Sequence, residues 1–181
     1  MKKLLMILPL ALNLCFMVGC QDEAAMAELE ELRAQAEVEE QNEAIFRHFI
    51  EELNKGNTEV FNEVFAPDYA YYFPSNTQEP MSLEETQEMV KTHLISFPDY
   101  NWTIEELFAV KDTVIARISI AGTFAGDYYG IPATGNKVES SAIFIVRIEN
   151  GKIVEQRKEG DVLNVMQQLG MELKPKEEDS I

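Results

Sequence analysis

Cysteine is almost missing from this chain of 181 residues. There are two, Cys15 and Cys20, both within the first twenty positions. A disulfide framework or a thiolate metal cluster in the rest of the chain is thereby excluded. Histidine is as scarce: His48 and His93 are the only two, so a histidine-rich metal site is excluded as well. Basic residues are few, 15 Lys and Arg against 32 Asp and Glu, for a formal charge of −17. That balance leaves no overall basic footprint for nucleic acid. With 46% hydrophobic and 26% charged residues the chain is neither disordered throughout nor a multi-span membrane protein. The length predicts one domain.

The N-terminus reads as an address. Lys2 and Lys3 precede an apolar run from Leu4 to Val18, broken by Pro9 and Asn13. The run falls short of the roughly 20 residues of a membrane-spanning helix and ends in small and polar residues, as an export signal does. Its end, Met17-Val18-Gly19-Cys20, resembles the lipobox of bacterial lipoproteins. The resemblance implies cleavage before Cys20 and a diacylglyceryl group on its thiol. Two or more acyl chains hold a protein on a membrane stably where one does not. A plain cleaved signal peptide, or an apolar N-terminal helix with an incidental cysteine, is the alternative. The expected protein is exposed outside the cytoplasm, anchored in the cell envelope through Cys20.

Composition then divides the chain. Residues 1–19 form the leader. Residues 20–40, rich in Ala and Glu and free of Pro and Gly, read as an acidic helical stalk. Residues 41–172 form the domain, and 173–181 an acidic tail. Ile45, Phe46, Phe49, Ile50 and Leu53 give the domain's first helix an apolar face. Thr58 to Phe65 predicts a short second helix, and Asp68 to Phe73 an extended, tyrosine-rich segment. Ser82 and Glu85 form a capping box that starts a third helix, running to about Ser96. After Asp99 the period turns to two, predicting strands through Trp102 to Val110, Thr113 to Phe124, Lys137 to Ile148 and Lys152 to Gly160. Asn150-Gly151 signals a type I′ hairpin between the last two. A helix from Asp161 to Leu169 follows, with Gly170 at its C′ position. Helices segregated from an antiparallel sheet make the class α+β, with one curved sheet wrapped by the N-terminal helices. The open end of such a fold is a natural pocket for a small molecule.

Several motifs fall in one order: Arg47-x-Phe49, Asn54-x-Gly56-Asn57, Phe65-Ala66-Pro67-Asp68-Tyr69, Phe97-Pro98-Asp99, Gly130-Ile131-Pro132-Ala133-Thr134-Gly135, Asn150-Gly151-Lys152-Ile153 and Gln167-Gln168-Leu169-Gly170. Together they resemble the SnoaL-like polyketide cyclase, or ester cyclase, family across residues 42–170. The resemblance implies the cone-shaped half-barrel of the nuclear transport factor 2-like superfamily. It also implies ring closure by intramolecular aldol chemistry with no metal or cofactor, and an acid/base Asp at the end of the last strand, here Asp161. The family's polar pocket positions fall on Tyr72 and Phe144, and two of its tryptophans are replaced by Arg157 and Gly160.

The residues themselves leave the chemistry open. A carboxylate in an apolar pocket has a raised pKa and can take a proton from carbon beside a carbonyl. Asp161 suits that role, with Tyr72, Tyr71 or Tyr128 as hydrogen-bond donor, and equally suits a helix N-cap. Arg157, four residues earlier on one face of an unbulged strand, either pairs with Asp161 or lines the pocket for an anion. Tyr71, Trp102, Tyr128, Phe144 and Arg157 are the expected ligand-binding residues. His48 and His93 read as surface or half-buried residues. Three functions follow. The favoured one is non-catalytic binding of a small hydrophobic or carbonyl-bearing molecule. The second is a cofactor-independent cyclase, isomerase or hydrolase with Asp161 as acid/base and Tyr72 as polarising donor. The third is a dimerisation module using Ser119, Ser141, Ile143 and Ile145 on the outer sheet face.

Overall fold

The structure, a computed structural model, describes residues 4–172 and 174, with side chains from residue 23 onward. The side chains of the leader, Cys20 among them, and the rest of the acidic tail lie outside the described residues. The first helix, α1, spans Leu4–Asn54. By packing, the chain separates into two units, Met1–Val38 and Glu39–Ile181. In the first unit every described side chain, including Leu29 and Leu32, is exposed. Among the described residues no helix is long and apolar enough to cross a membrane.

The second unit is built on one sheet of five strands: β1 (Phe65–Tyr72), β2 (Asn101–Val110), β3 (Thr113–Thr123), β4 (Lys137–Glu149) and β5 (Lys152–Gly160). Their order is β1-β5-β4-β3-β2. The pairs β2–β3, β3–β4 and β4–β5 are antiparallel, while β1 lies parallel to β5 at the edge. The sequence predicts the extended segment at β1 but not its partner. The connections follow their residues. Asn150 and Gly151 both take positive φ, 51° and 73°, as a type I′ turn requires. Ser82 accepts the Glu85 N–H at 3.3 Å while Glu85 accepts the Ser82 N–H at 2.7 Å, so the capping box starts α3 (Leu83–Ser96) as expected.

Period-two alternation on β3 and β4 sends Val114, Ala116, Ile118, Ala142, Val146 and Ile148 to one face, where all are buried. Phe46, Phe49, Ile50 and Leu53 of α1, Val60, Phe61 and Val64 of α2 (Val60–Val64) and Val90 of α3 pack on that face. Each such side chain contributes about 1.5–3 kcal/mol relative to exposure. The fold is α+β, a curved sheet covered by the N-terminal helices, as predicted. A last short helix, α4 (Val162–Gln168), follows β5.

Two local features shape the inner face of the sheet and its free edge. The register of β4 and β5 passes from Ile148↔Ile153 to Arg147↔Glu155, so Val154 is an extra residue, a β-bulge. And the free edge of β2 is met by polar side chains of α1. Glu39 and Glu43 accept the N–H groups of Lys111 and Ala109 at 2.9 and 3.2 Å, and Asn42 donates to the Lys111 carbonyl at 2.9 Å. Asn54 takes both backbone groups of Trp102, each at 2.8 Å. A side-chain amide thus completes an edge strand and fixes where Trp102 stands.

Candidate functional site

Between the covering helices and the inner sheet face lies a cavity of about 240 Å³. α1 supplies Phe46, Phe49 and Ile50; β1 and its continuation supply Tyr71 and Phe73; α3 supplies Met89, Val90 and His93. The sheet contributes Trp102, Ile120, Phe144, Gln156 and Lys158, and the loop between β3 and β4 contributes Tyr128 and Tyr129. A narrower recess of about 110 Å³ shares Phe73, His93, Tyr100, Tyr128 and Lys158 with it and runs on to Gly160, Asp161 and Val165. The walls are mostly aromatic and aliphatic, with a few polar groups set among them, the usual make-up of a small-molecule site.

The polar groups are specific. His93 Nδ1 lies 2.7 Å from the Met89 carbonyl, which only accepts, so Nδ1 carries the proton. Its Nε2, 3.0 Å from the Tyr128 hydroxyl, therefore accepts from Tyr128 while the ring is neutral. Burial holds His93 below the usual imidazole range, with the Lys158 charge adding to the effect. Tyr128 is raised by the same burial, and Tyr100 is pushed up to about 12. Trp102 buries its indole N–H beside the Tyr100 hydroxyl, with no well-formed hydrogen bond among the described residues. Gln156 accepts from the buried Tyr69 hydroxyl at 3.1 Å.

Lys158 stands out. Its Nζ lies 4.8 Å from the Phe73 ring centre and 5.5 Å from that of Phe144. No carboxylate pairs with it among the described residues. Burial lowers its pKa to about 8, the direction that removing a cation from water dictates. The flanking rings offset part of that cost by cation–π attraction.

The loop carrying Tyr128 is held at its base. Ala125 and Gly126 donate backbone N–H groups to the Ser96 carbonyl at 2.9 and 3.0 Å, and Ser96 Oγ donates to the Asp127 carbonyl at 2.6 Å. The approach is so close that a Cβ on Gly126 would lie 2.7 Å from the Ile95 carbonyl oxygen. At the tip Tyr129 (φ 46°) and Gly130 (φ 84°) form a tight turn that leaves Tyr129 exposed at the cavity wall.

Of the residues singled out from sequence, Tyr71, Trp102, Tyr128 and Phe144 meet in the cavity wall. Asp161 lies at the far end of the recess, exposed, with Oδ1 accepting the Asn164 N–H at 2.9 Å as the N-cap of α4. Its Oδ2 has no partner among the described residues. Tyr72 and Arg157 do not line the cavity. They face each other across β1 and β5, the guanidinium 4.0 Å above the Tyr72 ring. Arg157 bonds Glu155 at 2.8 Å and the Ser75 carbonyl at 2.9 Å, not Asp161. Ile143 and Ile145 are exposed on that outer face, Ser141 with them, while Ser119 is half-buried.

Sequence reasoning missed His93 and Lys158. Thr86, Met89, Val90 and His93 recur at helical spacing after the capping box, a signal sufficient to turn His93 inward. Lys158 is hidden by the bulge. Strict alternation from buried Ile153 would send Glu155 and Arg157 inward, but the extra Val154 shifts the phase and puts Gln156 and Lys158 there instead. Among the described residues no group of three or more His, Cys, Asp and Glu is placed to hold a metal.

Comparison with known proteins matches this arrangement. The model of the SnoaL-like polyketide cyclase family matches residues 44–169. Among curated proteins, the aklanonic acid methyl ester cyclase DnrD of Streptomyces peucetius is 37% identical over 57 residues, which are 32% of this chain and 39% of that protein. The chain thus aligns with about two-fifths of that relative's length. Among solved structures, AclR of Streptomyces galilaeus superposes with a TM-score of 0.67 at 22% identity, covering 78% of this chain and 91% of its own. IdmH of Streptomyces antibioticus does so with a TM-score of 0.63 at 25% identity, covering 72% and 99%. The cavity-lining end of α1, the helix α3, the sheet that floors the cavity and the short helix after Asp161 all lie within the matched residues, and the chain belongs to the SnoaL-like polyketide cyclase family.

Proposed function

We propose that this chain is a lipid-anchored protein of the bacterial cell envelope whose domain captures a small, flat, hydrophobic molecule carrying a carbonyl group. The observation that carries the reading is the aromatic-walled cavity of about 240 Å³ with a few polar groups set in its walls. Aromatic faces suit a flat apolar body. Trp102, Tyr100 and Lys158 can bond a carbonyl oxygen, and the apolar remainder disfavours heavily charged ligands. The lipobox-like Met17-Val18-Gly19-Cys20 supports the anchor, and Cys20 is the residue to carry the lipid.

Trp102 is the only tryptophan and lines the cavity, so tryptophan emission, excited selectively over tyrosine, reports on this site alone. Titration with a series of aromatic ketones is expected to quench it saturably. A flat response across the series would sink the binding reading.

A second reading, acid/base catalysis, is favoured by the state of Asp161: Oδ1 caps α4 while Oδ2 has no partner among the described residues. His93 with Tyr128 offers a second proton-handling pair in the same space. Mass spectrometry of the bound and released ligand separates the two readings. Unchanged ligand from both the native chain and Asp161→Asn means capture; a product formed only by the native chain means catalysis. Self-association through the outer face around Ile143 and Ile145 is compatible with either reading and is excluded by a monomer at all concentrations in sedimentation.

A further inference from the structure

We propose that Lys158 is a nucleophile that captures aldehyde or ketone ligands covalently, as a reversible imine, within the aromatic cavity. The proposal rests on the capture reading above and names its chemistry. Three observations support it. The Nζ atom faces the rings of Phe73 and Phe144 and has no carboxylate partner among the described residues, so no ion pair competes for its lone pair. The Trp102 N–H is buried with no acceptor in good hydrogen-bond geometry among the described residues, only the Tyr100 hydroxyl standing near it, and a ligand carbonyl oxygen is the kind of group that would complete it. The chain's charge of −17 repels anions at long range, which favours a neutral carbonyl compound over a carboxylate as the partner of this amine.

Burial also prepares the amine. With its pKa lowered to about 8, roughly a tenth of the molecules carry a neutral Lys158 at pH 7, against well under a thousandth for an ordinary lysine. In the reaction the Nζ lone pair adds to the carbonyl carbon, and a proton passes from nitrogen to the former carbonyl oxygen. Loss of the second nitrogen-bound hydrogen with that hydroxyl, as water, leaves C=N where C=O stood. The sum is amine plus carbonyl compound giving imine plus water, with no oxidant or reductant required. Proton movement has partners at hand: Tyr128 and neutral His93 share the space with Lys158.

The test uses the full-length chain with cinnamaldehyde, cinnamyl alcohol and cinnamate as probes. Each is titrated against Trp102 emission, and the aldehyde sample is then reduced with borohydride at pH 7 and digested. The expected result is quenching by the aldehyde, together with a Lys158 peptide heavier by the aldehyde less one oxygen. That adduct should exceed the adduct at any other lysine at least about tenfold and vanish in Lys158→Met, whose cooperative urea unfolding shows that it is folded. Quenching by aldehyde and alcohol with no excess at Lys158 overturns the imine and leaves the cavity reading standing. Quenching by cinnamate alone, lost in Lys158→Met, overturns it in favour of an ion pair. No quenching by any probe and adducts spread over surface lysines overturns both.

Discussion

Lys158 is a cost to the fold that carries it. The unfolded chain holds its proton up to the usual lysine pKa of 10.5, while the folded protein releases it at about 8. Between those values the unfolded state binds more protons, so stability rises with pH; below about 8 both states are charged and the full penalty of the enclosed cation is felt. Lys158→Met should therefore be more stable than the native chain by about 1–2 kcal/mol at pH 7, and the difference should shrink towards zero near pH 10. Urea unfolding at pH 7, 8.5 and 10 measures it; an equal difference at all three would mean that packing, not charge, separates the two proteins. His93 acts in the same direction at lower pH. Its depressed pKa means that stability is lost as pH falls through the ordinary imidazole range, where the unfolded chain takes the proton first. At still lower pH, where the folded ring itself takes the proton, the Nε2 acceptor that holds Tyr128 is lost.

Among the elements, α1 does two jobs with two faces. Its apolar residues roof the cavity, and its Asn and Glu side chains occupy the outer hydrogen-bonding positions of β2. Removing one of these supports should be felt at the site. Asn54→Ala leaves the Trp102 N–H and C=O to water, so a loss of about 1 kcal/mol is expected, with an altered Trp102 emission maximum. Denaturant unfolding and an emission scan check both, and an unchanged spectrum would show that the strand holds Trp102 without help. Much of this architecture was legible in the sequence. Ser82 with Glu85 and Asn150 with Gly151 are local chemical signals, and each produces the predicted cap or turn. The alternation on β3 and β4 is equally plain. The pairing of β1 with β5 was not legible, because a parallel partner leaves no turn to read. Nor was the inward face of β5, since a bulge changes the phase without changing composition. The wall residues Tyr71, Trp102, Tyr128 and Phe144 were therefore found, while the amine among them was not.

For the whole molecule, the proposed anchor and the cavity are separable. The described side chains of residues 23–38 are all exposed, as suits a spacer, and the cavity is lined within residues 46–158. Replacing the residue proposed to carry the lipid, Cys20→Ser, should move the protein from the detergent phase to the aqueous phase in phase partitioning and leave the Trp102 titration unchanged. Retention in the detergent phase would point to an anchor other than a Cys20 lipid. The single bulge in β5 has a reach of the same breadth. The nine residues from Lys152 to Gly160 could be laid against β4 in a second register, without the bulge, in which Glu155, Arg157 and Glu159 face the interior and Lys158 faces water. One register encloses a lone amine and the other encloses three charges, so the competition is settled by which set is dearer to dehydrate. Seen this way, Glu155, Arg157 and Glu159 do much of their work on a conformation the chain does not adopt. Neutralising them would be expected to blur the alignment of the strand before it weakened any contact in the native protein.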